Sequence, residues 1–335
     1  MFDEILDRRE VLGAIGAVSG FALLMEQPAS AAAEALSTLM FDGFSPRGRE
    51  LVTAILTSPR FQGRIAKEDA EQLEKAEGKS KGEIMLALLA AAQLFSLPPV
   101  SNYRVGVVVS GASGSLYLGA NLEPAGQPLG AAVHAEQSAC SGAYAHGESA
   151  IRSLAVTGAP CGHCRQFLEE LSPAGDLEIL VKGKEPVALK SLLPAAFSPR
   201  DLGVARGALP PTRAAIALHE HTDANHEGVK KALEAASLSW APYSKARSGV
   251  ALTMDDGAVV SGSYIENVAF NPSLPPLQAA LVAMVKARKS YAQIREATLV
   301  EVDEAVISQR AMTETVLAAI APKVRLRRVT GRLEG

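Results

Sequence analysis

Two cysteines three residues apart, Cys161 and Cys164 in "PCGHC", and a histidine and glutamate two apart, His134 and Glu136 in "VHAEQSA", are the residues of this chain best suited to chemistry. Cys-Gly-His-Cys has two uses: a dithiol that makes and breaks disulfides, or a clamp that holds a metal ion between two thiolates. Both need the same geometry. Positions i and i+3 of a helix share a face, and a helix N-terminus, with its positive dipole end and free N–H groups, favours thiolate. The residues upstream choose between the two. One imidazole and two thiolates are the ligand set expected for Zn2+. Three protein ligands leave a fourth corner for water, whereas a structural zinc is normally closed by four. Glu136, two residues from His134, is placed to reach that water rather than the ion, and a carboxylate there can take a proton and deliver it elsewhere. The redox reading lacks an aromatic residue before the first cysteine and leaves His134 and Glu136 without a role.

These residues need elements to hold them. Val105 and residues 107–109, then 116–118, flank the turn-forming "SGASG", the pattern of a β-hairpin. "VHAEQSACSGAYAHG" reads as a helix stopped at Gly147, "IRSLAVTG" as a short buried strand, "CRQFLEEL" as a helix whose first turn carries the cysteines, and "DLEILVKG" as another strand. Strands alternating with helices predict a layered α/β domain over 98–200. Upstream, "GRELVTAILTS" and "KGEIMLALLAAAQLF" carry apolar residues at helical spacing, so 43–97 read as a helical region closed by Pro98 and Pro99. Residues 201–225, rich in proline, glycine and charge, read as a connector.

Beyond the connector the pattern returns. An offset of 143 pairs Ser101 with Ser244, Gly106 with Gly249, Val107 with Val250 and Glu123 with Glu266. Residues 226–335 therefore read as a second, degenerate copy of the domain. The same offset sets Leu277 opposite His134, Ala279 opposite Glu136, Glu304 opposite Cys161 and Ile307 opposite Cys164, and no cysteine follows Cys164. The second copy is expected to serve only as structure or as a donor of surface.

His-x-Glu followed by Pro-Cys-x-x-Cys is also the signature of zinc nucleobase deaminases. With "SNYRVG", "GANLE", "VHAEQSA", "PCGHCRQF", "APYSK", "SGVAL" and "ENVAFNPSLPPLQ", the chain from about residue 60 onward resembles the two-domain, homodimeric bacterial cytidine deaminases. The resemblance implies an α/β fold, a duplicated three-layer α-β-α domain, with the helical region ahead of it. It implies one Zn2+ per subunit and a nucleoside substrate. The reaction would convert cytidine and 2′-deoxycytidine to the uridines and ammonia, in pyrimidine salvage. It also implies a homodimer in which the degenerate copy completes the partner's site. Carried over by position, His134, Cys161 and Cys164 become the zinc ligands and Glu136 the proton shuttle. Asn121, Leu122 and Glu123 become the segment that grips the ribose 3′-hydroxyl; an amide and a carboxylate two apart on an extended segment point the same way. Tyr103 becomes the ring against the pyrimidine, where other members carry Phe, so a phenol changes the local polarity. The Ala135 backbone would bond the base, the Ala159 carbonyl would contact the leaving amine, and Phe270 would reach into the neighbouring subunit.

Composition sets the outer bounds. The chain has 335 residues, enough for two domains, and its formal net charge of −3 provides no basic field for a nucleic acid. Three cysteines, an odd and sparse set, argue against a disulfide framework and for a reducing, cytoplasmic compartment. Residues 1–42 stand apart. Arg8 and Arg9 precede an apolar stretch at 11–25 and small residues to Ala33, a layout that resembles a twin-arginine export signal. A surface helix or a true start at Met40 are the alternatives. The apolar stretch is too short to span a membrane comfortably, and no membrane partner is expected. Cys140 reads as a core residue, and His163 as pointing away from the metal. His219, His221 and His226 read as a solvated approach to a helix capped by Asn225 or Asp223, and "KVRLRR" as an exposed strand end. Two other functions stay open. Deamination of a cytosine within RNA would need a positive groove with stacking residues. A zinc-stabilised assembly module would need a fourth ligand.

Overall fold

Ser45 and Ser80 set the first helices. Ser45 Oγ accepts the Gly48 N–H at 3.2 Å to start α1 (Pro46–Thr57), with Pro46 where no N–H is needed. A two-residue strand, β1 (Arg64–Ile65), and α2 (Lys67–Glu77), which stops at Gly78 with φ 62°, follow. Ser80 and Glu83 then form a capping box at the head of α3 (Lys81–Ala87), which runs on into α4 (Leu89–Gln93). The helical region is thus four helices and a strand, with α2 and α3 separated at Gly78. The computed structural model describes residues 41, 43–171, 177–219, 223–303 and 305–334. The twin-arginine-like segment, His221 and Glu304 lie outside them.

The hairpin forms as expected, from β2 (Gly106–Gly111) and β3 (Leu116–Ala120), both buried throughout. Then come α5 (Ala135–Ala145), β4 (Ile151–Val156), α6 (Gly162–Leu171), β5 (Glu178–Val181), β6 (Val187–Ala188) and α7 (Leu189–Leu192). The six strands order as β1-β3-β2-β4-β5-β6, with β4 and β5 parallel across α6 and the other pairs antiparallel. The second copy consists of β7 (Ile216–Leu218), α8 (Glu227–Leu238), β8 (Ser248–Met254), β9 (Val259–Ser263), α9 (Pro276–Lys286), β10 (Ile294–Val302), α10 (Arg310–Ile320) and β11 (Leu326–Leu333), in the strand order β7-β11-β10-β8-β9. The duplication is visible strand for strand: β3-β2-β4-β5 repeats as β9-β8-β10-β11. Both sheets are mixed and flanked by helices, a duplicated α/β fold.

Two glycines show why the repeat was readable. A side chain at Gly119 would place its Cβ 2.2 Å from the Ala139 nitrogen, and one at Gly262 would stand 2.1 Å from the Ala280 nitrogen. In each copy the strand presses directly on the following helix, and only glycine fits. The register is not uniform, however. Leu122 bridges Leu97 and Val133, while Ile265 bridges Trp240 and Leu274, so the loop between the bridged residues is two residues shorter in the second copy. Helix for helix, His134 therefore faces Pro275 and Glu136 faces Leu277, not Leu277 and Ala279. Counting from the starts of α6 and α10, Cys161 and Cys164 face Gln309 and Met312, not Glu304 and Ile307. The counterpart of α8 in the first copy is α3 with α4. Gly106 abuts the backbone of α4 as Gly249 abuts that of α8, so the repeated unit reaches back before residue 98.

Two local readings are corrected and one is met. The connector contains β7, and its Ala208 and Leu209 N–H groups donate to the Glu170 and Leu171 carbonyls at 2.8 and 2.9 Å. The basic stretch "KVRLRR" is an exposed strand end as expected, running into the start of β11, which lies between β10 and β7, and Arg328 Nε donates to Glu301 Oε1 at 2.6 Å. The cap of α8 is His226 itself, with His226 Nε2 3.2 Å from Glu296, while His219 pairs with Asp303. Among the described residues no helix is long and apolar enough to cross a membrane.

The two copies are joined through a carboxylate that nothing in the sequence singled out. Glu170, on α6, is fully buried and accepts from Trp240 Nε1 at 2.7 Å, Tyr243 OH at 2.9 Å and the Val268 N–H at 2.8 Å. Burial pushes its pKa up, against the pull of those three donors. Glu170→Ala would strand the donors in the interior. It is expected to cost roughly 3 kcal/mol or more, read as a fall in Tm of roughly 5 °C or more by differential scanning calorimetry.

Candidate active site

Strand directions bring the chemistry together. β2 runs antiparallel to both β3 and β4, so β3 and β4 run the same way and their C-terminal ends share one edge of the sheet. The segment after β3 leads to the N-terminus of α5, and the segment after β4 leads to the N-terminus of α6. His134 is the N-cap of α5, and its N–H donates to Gln137 Oε1 at 3.1 Å. Gln137 Nε2 in turn donates to the Pro272 carbonyl of the second copy at 3.0 Å. Cys161 immediately precedes α6, Cys164 lies in its first turn, and the Arg165 N–H donates to the Cys161 carbonyl at 3.0 Å.

The three donor atoms form a triangle. Cys161 Sγ lies 3.7 Å from Cys164 Sγ and 3.6 Å from His134 Nδ1, and Cys164 Sγ lies 3.3 Å from that nitrogen. A tetrahedral zinc with ordinary bond lengths would separate two sulfurs by about 3.8 Å and sulfur from nitrogen by about 3.6 Å. The triangle fits a zinc ion, with Nδ1 as the imidazole donor. Among the described residues it is the group of His, Cys, Asp and Glu side chains so placed. The two sulfurs lie within hydrogen-bond distance of one another. Cys161 is drawn down to about 4 by the hydrogen bonds it accepts from the Cys164 thiol and N–H, against the cost of burial. Cys164 is pushed up because it donates that bond and is itself buried. Binding a metal replaces the thiol proton, since both sulfurs must ligate as thiolates.

Glu136 lies in the first turn of α5, two residues after His134, and is 4% exposed. Burial raises its pKa above the ordinary carboxylate range, opposed by its own backbone N–H and by the Cys164 thiol. His163 stands outside the donor group, in keeping with the expectation that it does not ligate. Its ring stacks on His134 with centroids 4.8 Å apart and planes 23° from parallel. Cys140 is buried in the core.

The remaining candidates divide. Asn121 is buried and its amide is fully engaged: Oδ1 accepts from Ser96 Oγ at 2.6 Å and the Val105 N–H at 2.9 Å, and Nδ2 donates to the Tyr103 carbonyl at 2.9 Å and Glu123 Oε1 at 3.1 Å. Glu123 accepts from the Val100 N–H at 3.1 Å, the Ser101 N–H at 2.8 Å and Ser101 Oγ at 2.6 Å. Its counterpart Glu266 accepts from the Tyr243 and Ser244 N–H groups in the same way, so part of this bonding belongs to the fold. Leu122 is buried, with its N–H and carbonyl both bonded to Val133. Ala135 is buried at the head of α5, whereas Tyr103 is 62% exposed and faces Gly158. Phe270 is 63% exposed with φ 62°, in a second-copy loop whose Asn267 Nδ2 donates to the Gln166 carbonyl of α6 at 3.0 Å.

Sequence comparisons agree with this geometry. The profile described as "Cytidine and deoxycytidylate deaminase zinc-binding region" matches twice, over residues 79–175 and 189–314. The chain is 42% identical over 278 residues to a cytidine deaminase of Aliivibrio fischeri, covering 83% of this chain and 92% of that one. The chain belongs to the cytidine deaminase family. It is likewise 41% identical over 288 residues to the Vibrio atlanticus cytidine deaminase, covering 86% and 96% of the two chains. It is 42% identical over 285 residues to that of Sodalis glossinidius, covering 82% and 92%. Membership accounts for the duplicated fold and for zinc as the cofactor, and His134, Cys161 and Cys164 form a donor group that could hold such an ion.

Proposed function

We propose that this chain hydrolyses cytidine and 2′-deoxycytidine to the corresponding uridines and ammonia, with zinc as its cofactor. The observation that carries the reading is a donor triangle of tetrahedral dimensions with a buried carboxylate, Glu136, beside it. When bound, zinc lowers the pKa of its water to roughly 7. Glu136 takes a proton from the attacking water and passes it to N3 of the pyrimidine as C4 is attacked. It then carries the second proton to the amine, which leaves as ammonia. Its role is to hold charge as it moves during reaction rather than to bind the ground state. His134 and Cys161 fix the helix ends on either side, and the Tyr103 ring offers its face to the base.

The nucleoside sugar falls to Asn121 and Glu123, which exchange their bonds to the Tyr103 carbonyl and Ser101 for the ribose hydroxyl, with Leu122 holding the segment in the core and the Ala135 backbone on the base. Asn121→Ala is expected to lower kcat/KM for cytidine by roughly 10-fold. The same variant loosens the turn at 103–105, so 3′-deoxycytidine is the control. An effect that persists undiminished on that substrate removes Asn121 from sugar recognition.

The subunit is proposed to act as a homodimer, with the second copy, Phe270 included, completing the partner's site. Tyr103, Leu129 and Phe270 leave apolar surface exposed, and a covered apolar surface is what an obligate interface provides. Its compartment is read as cytoplasmic, because all three cysteines are free thiols and two of them must stay reduced to ligate. The test pairs zinc analysis with loss of cytidine absorbance and sedimentation of the purified chain. About one zinc per subunit, ammonia release and a two-subunit mass are expected. Absence of turnover on cytidine with an oligonucleotide deaminated instead would overturn the nucleoside reading.

A further inference from the structure

Between the two copies lies a cavity of about 320 Å³, away from the zinc triangle and at the lower end of ligand-pocket volumes. Lys286, at the end of α9, lines it. The side chain is 4% exposed, and Nζ donates to the Ser138 carbonyl of α5 at 2.8 Å. Two glycines clear its path. A Cβ at Gly63 would stand 2.7 Å from Lys286 Cδ, and one at Gly142 would stand 2.8 Å from Nζ. An ammonium has three donors, of which the Ser138 carbonyl takes one, and among the described residues no carboxylate lies within ion-pair distance of it. A buried cation without a counter-ion costs several kcal/mol, and burial pushes this amine down to about 7.

The walls suit an anion. Lys231 is a second cation, already neutralising Glu234 at 3.3 Å, and Ser261, Ser263 and His146 add neutral polar groups. We propose that this cavity binds a small phosphate, free or as a monoester, with Lys286 supplying the charge at its floor. A tetrahedral oxyanion can accept from the lysine and from serine hydroxyls at once. The bound anion would bear directly on α5, the helix that carries His134 and Glu136, through the Lys286–Ser138 bond.

The test is isothermal titration of the zinc-loaded protein with inorganic phosphate and, separately, ribose 5-phosphate, at ionic strength held constant with chloride. Binding tighter than about 1 mM is expected for at least one of the two, and the tighter one identifies free anion or monoester as the natural form. Lys286→Met, which keeps the volume and removes the charge, should weaken that binding at least about 10-fold. Ala283→Leu, which fills the cavity from its wall and leaves Lys286 in place, should do the same and decides the matter if the lysine variant does not fold. No binding below about 10 mM in the unaltered protein, or affinity unchanged in both variants, would overturn the proposal. The readout is binding alone, so its failure leaves the deaminase reading untouched.

Discussion

Glu136→Gln is expected to yield a folded, zinc-loaded protein that deaminates cytidine at least about 10²–10⁴-fold more slowly than the unaltered enzyme. The amide matches the carboxylate in shape, so the buried position suffers no cavity, and it cannot exchange protons. Two features of the site make the loss large. The side chain is 4% exposed, so no solvent path substitutes for it. Burial raises its pKa above the ordinary carboxylate range, which makes it a stronger base than a solvated carboxylate. The variant should keep KM within a few-fold, because the group acts on charge that develops during reaction. A purely structural role would show the reverse pattern, with reduced zinc or Tm and turnover falling in proportion. Stopped-flow kinetics with metal analysis of the same preparation distinguishes the two, and near-normal turnover would remove Glu136 from the proton path.

What was legible in the sequence follows from range. His134, Glu136, Cys161 and Cys164 could be read because donor type and spacing within one helical turn are local facts, and two local motifs in one chain are seldom coincidence. The β-hairpin could be read from the apolar runs around "SGASG", and its repeat in part from Gly106 and Gly249, which mark where strand meets helix backbone in both copies. The register slipped after Glu123 because loop length carries no pattern of its own. Glu170 and Lys286 were invisible for the opposite reason. Their partners lie 70 and 148 residues away, and one of two adjacent glutamates between Leu168 and Leu171, or a lysine closing an apolar helix, looks like an ordinary solvated end. "KVRLRR" could be read as a strand end but not that β11 lies inside its sheet, because Arg328 is neutralised by Glu301 from the neighbouring strand rather than by anything nearby in sequence. His163 was placed by helical geometry alone, which omits the attraction of one flat imidazole for another.

Cys164→Ser tests the metal directly. A serine hydroxyl stays protonated where a thiol ionises, so the variant retains the shape of the first turn of α6 and loses a ligand charge. Zinc content is expected to fall well below one per subunit, with cytidine turnover under roughly 1% of the unaltered enzyme, since even indirect perturbations of zinc sites cost about 10–100-fold. Cys140→Ser is the control: that thiol is buried in the core and lies outside the donor triangle, so a modest loss of stability with full zinc occupancy is expected. Chelation of the unaltered protein should abolish activity reversibly while leaving most of the fold. The ends of α5 and α6 are also held by Gln137 on Pro272 and by Glu170 on Trp240 and Tyr243. The sulfurs stand 3.7 Å apart, far beyond the roughly 2.05 Å of a disulfide, and thiol titration of the active enzyme should find both free once zinc is removed. Undiminished turnover after exhaustive chelation, or a Cys161–Cys164 bond in the active form, would leave the triangle without its ion and the mechanism without its nucleophile.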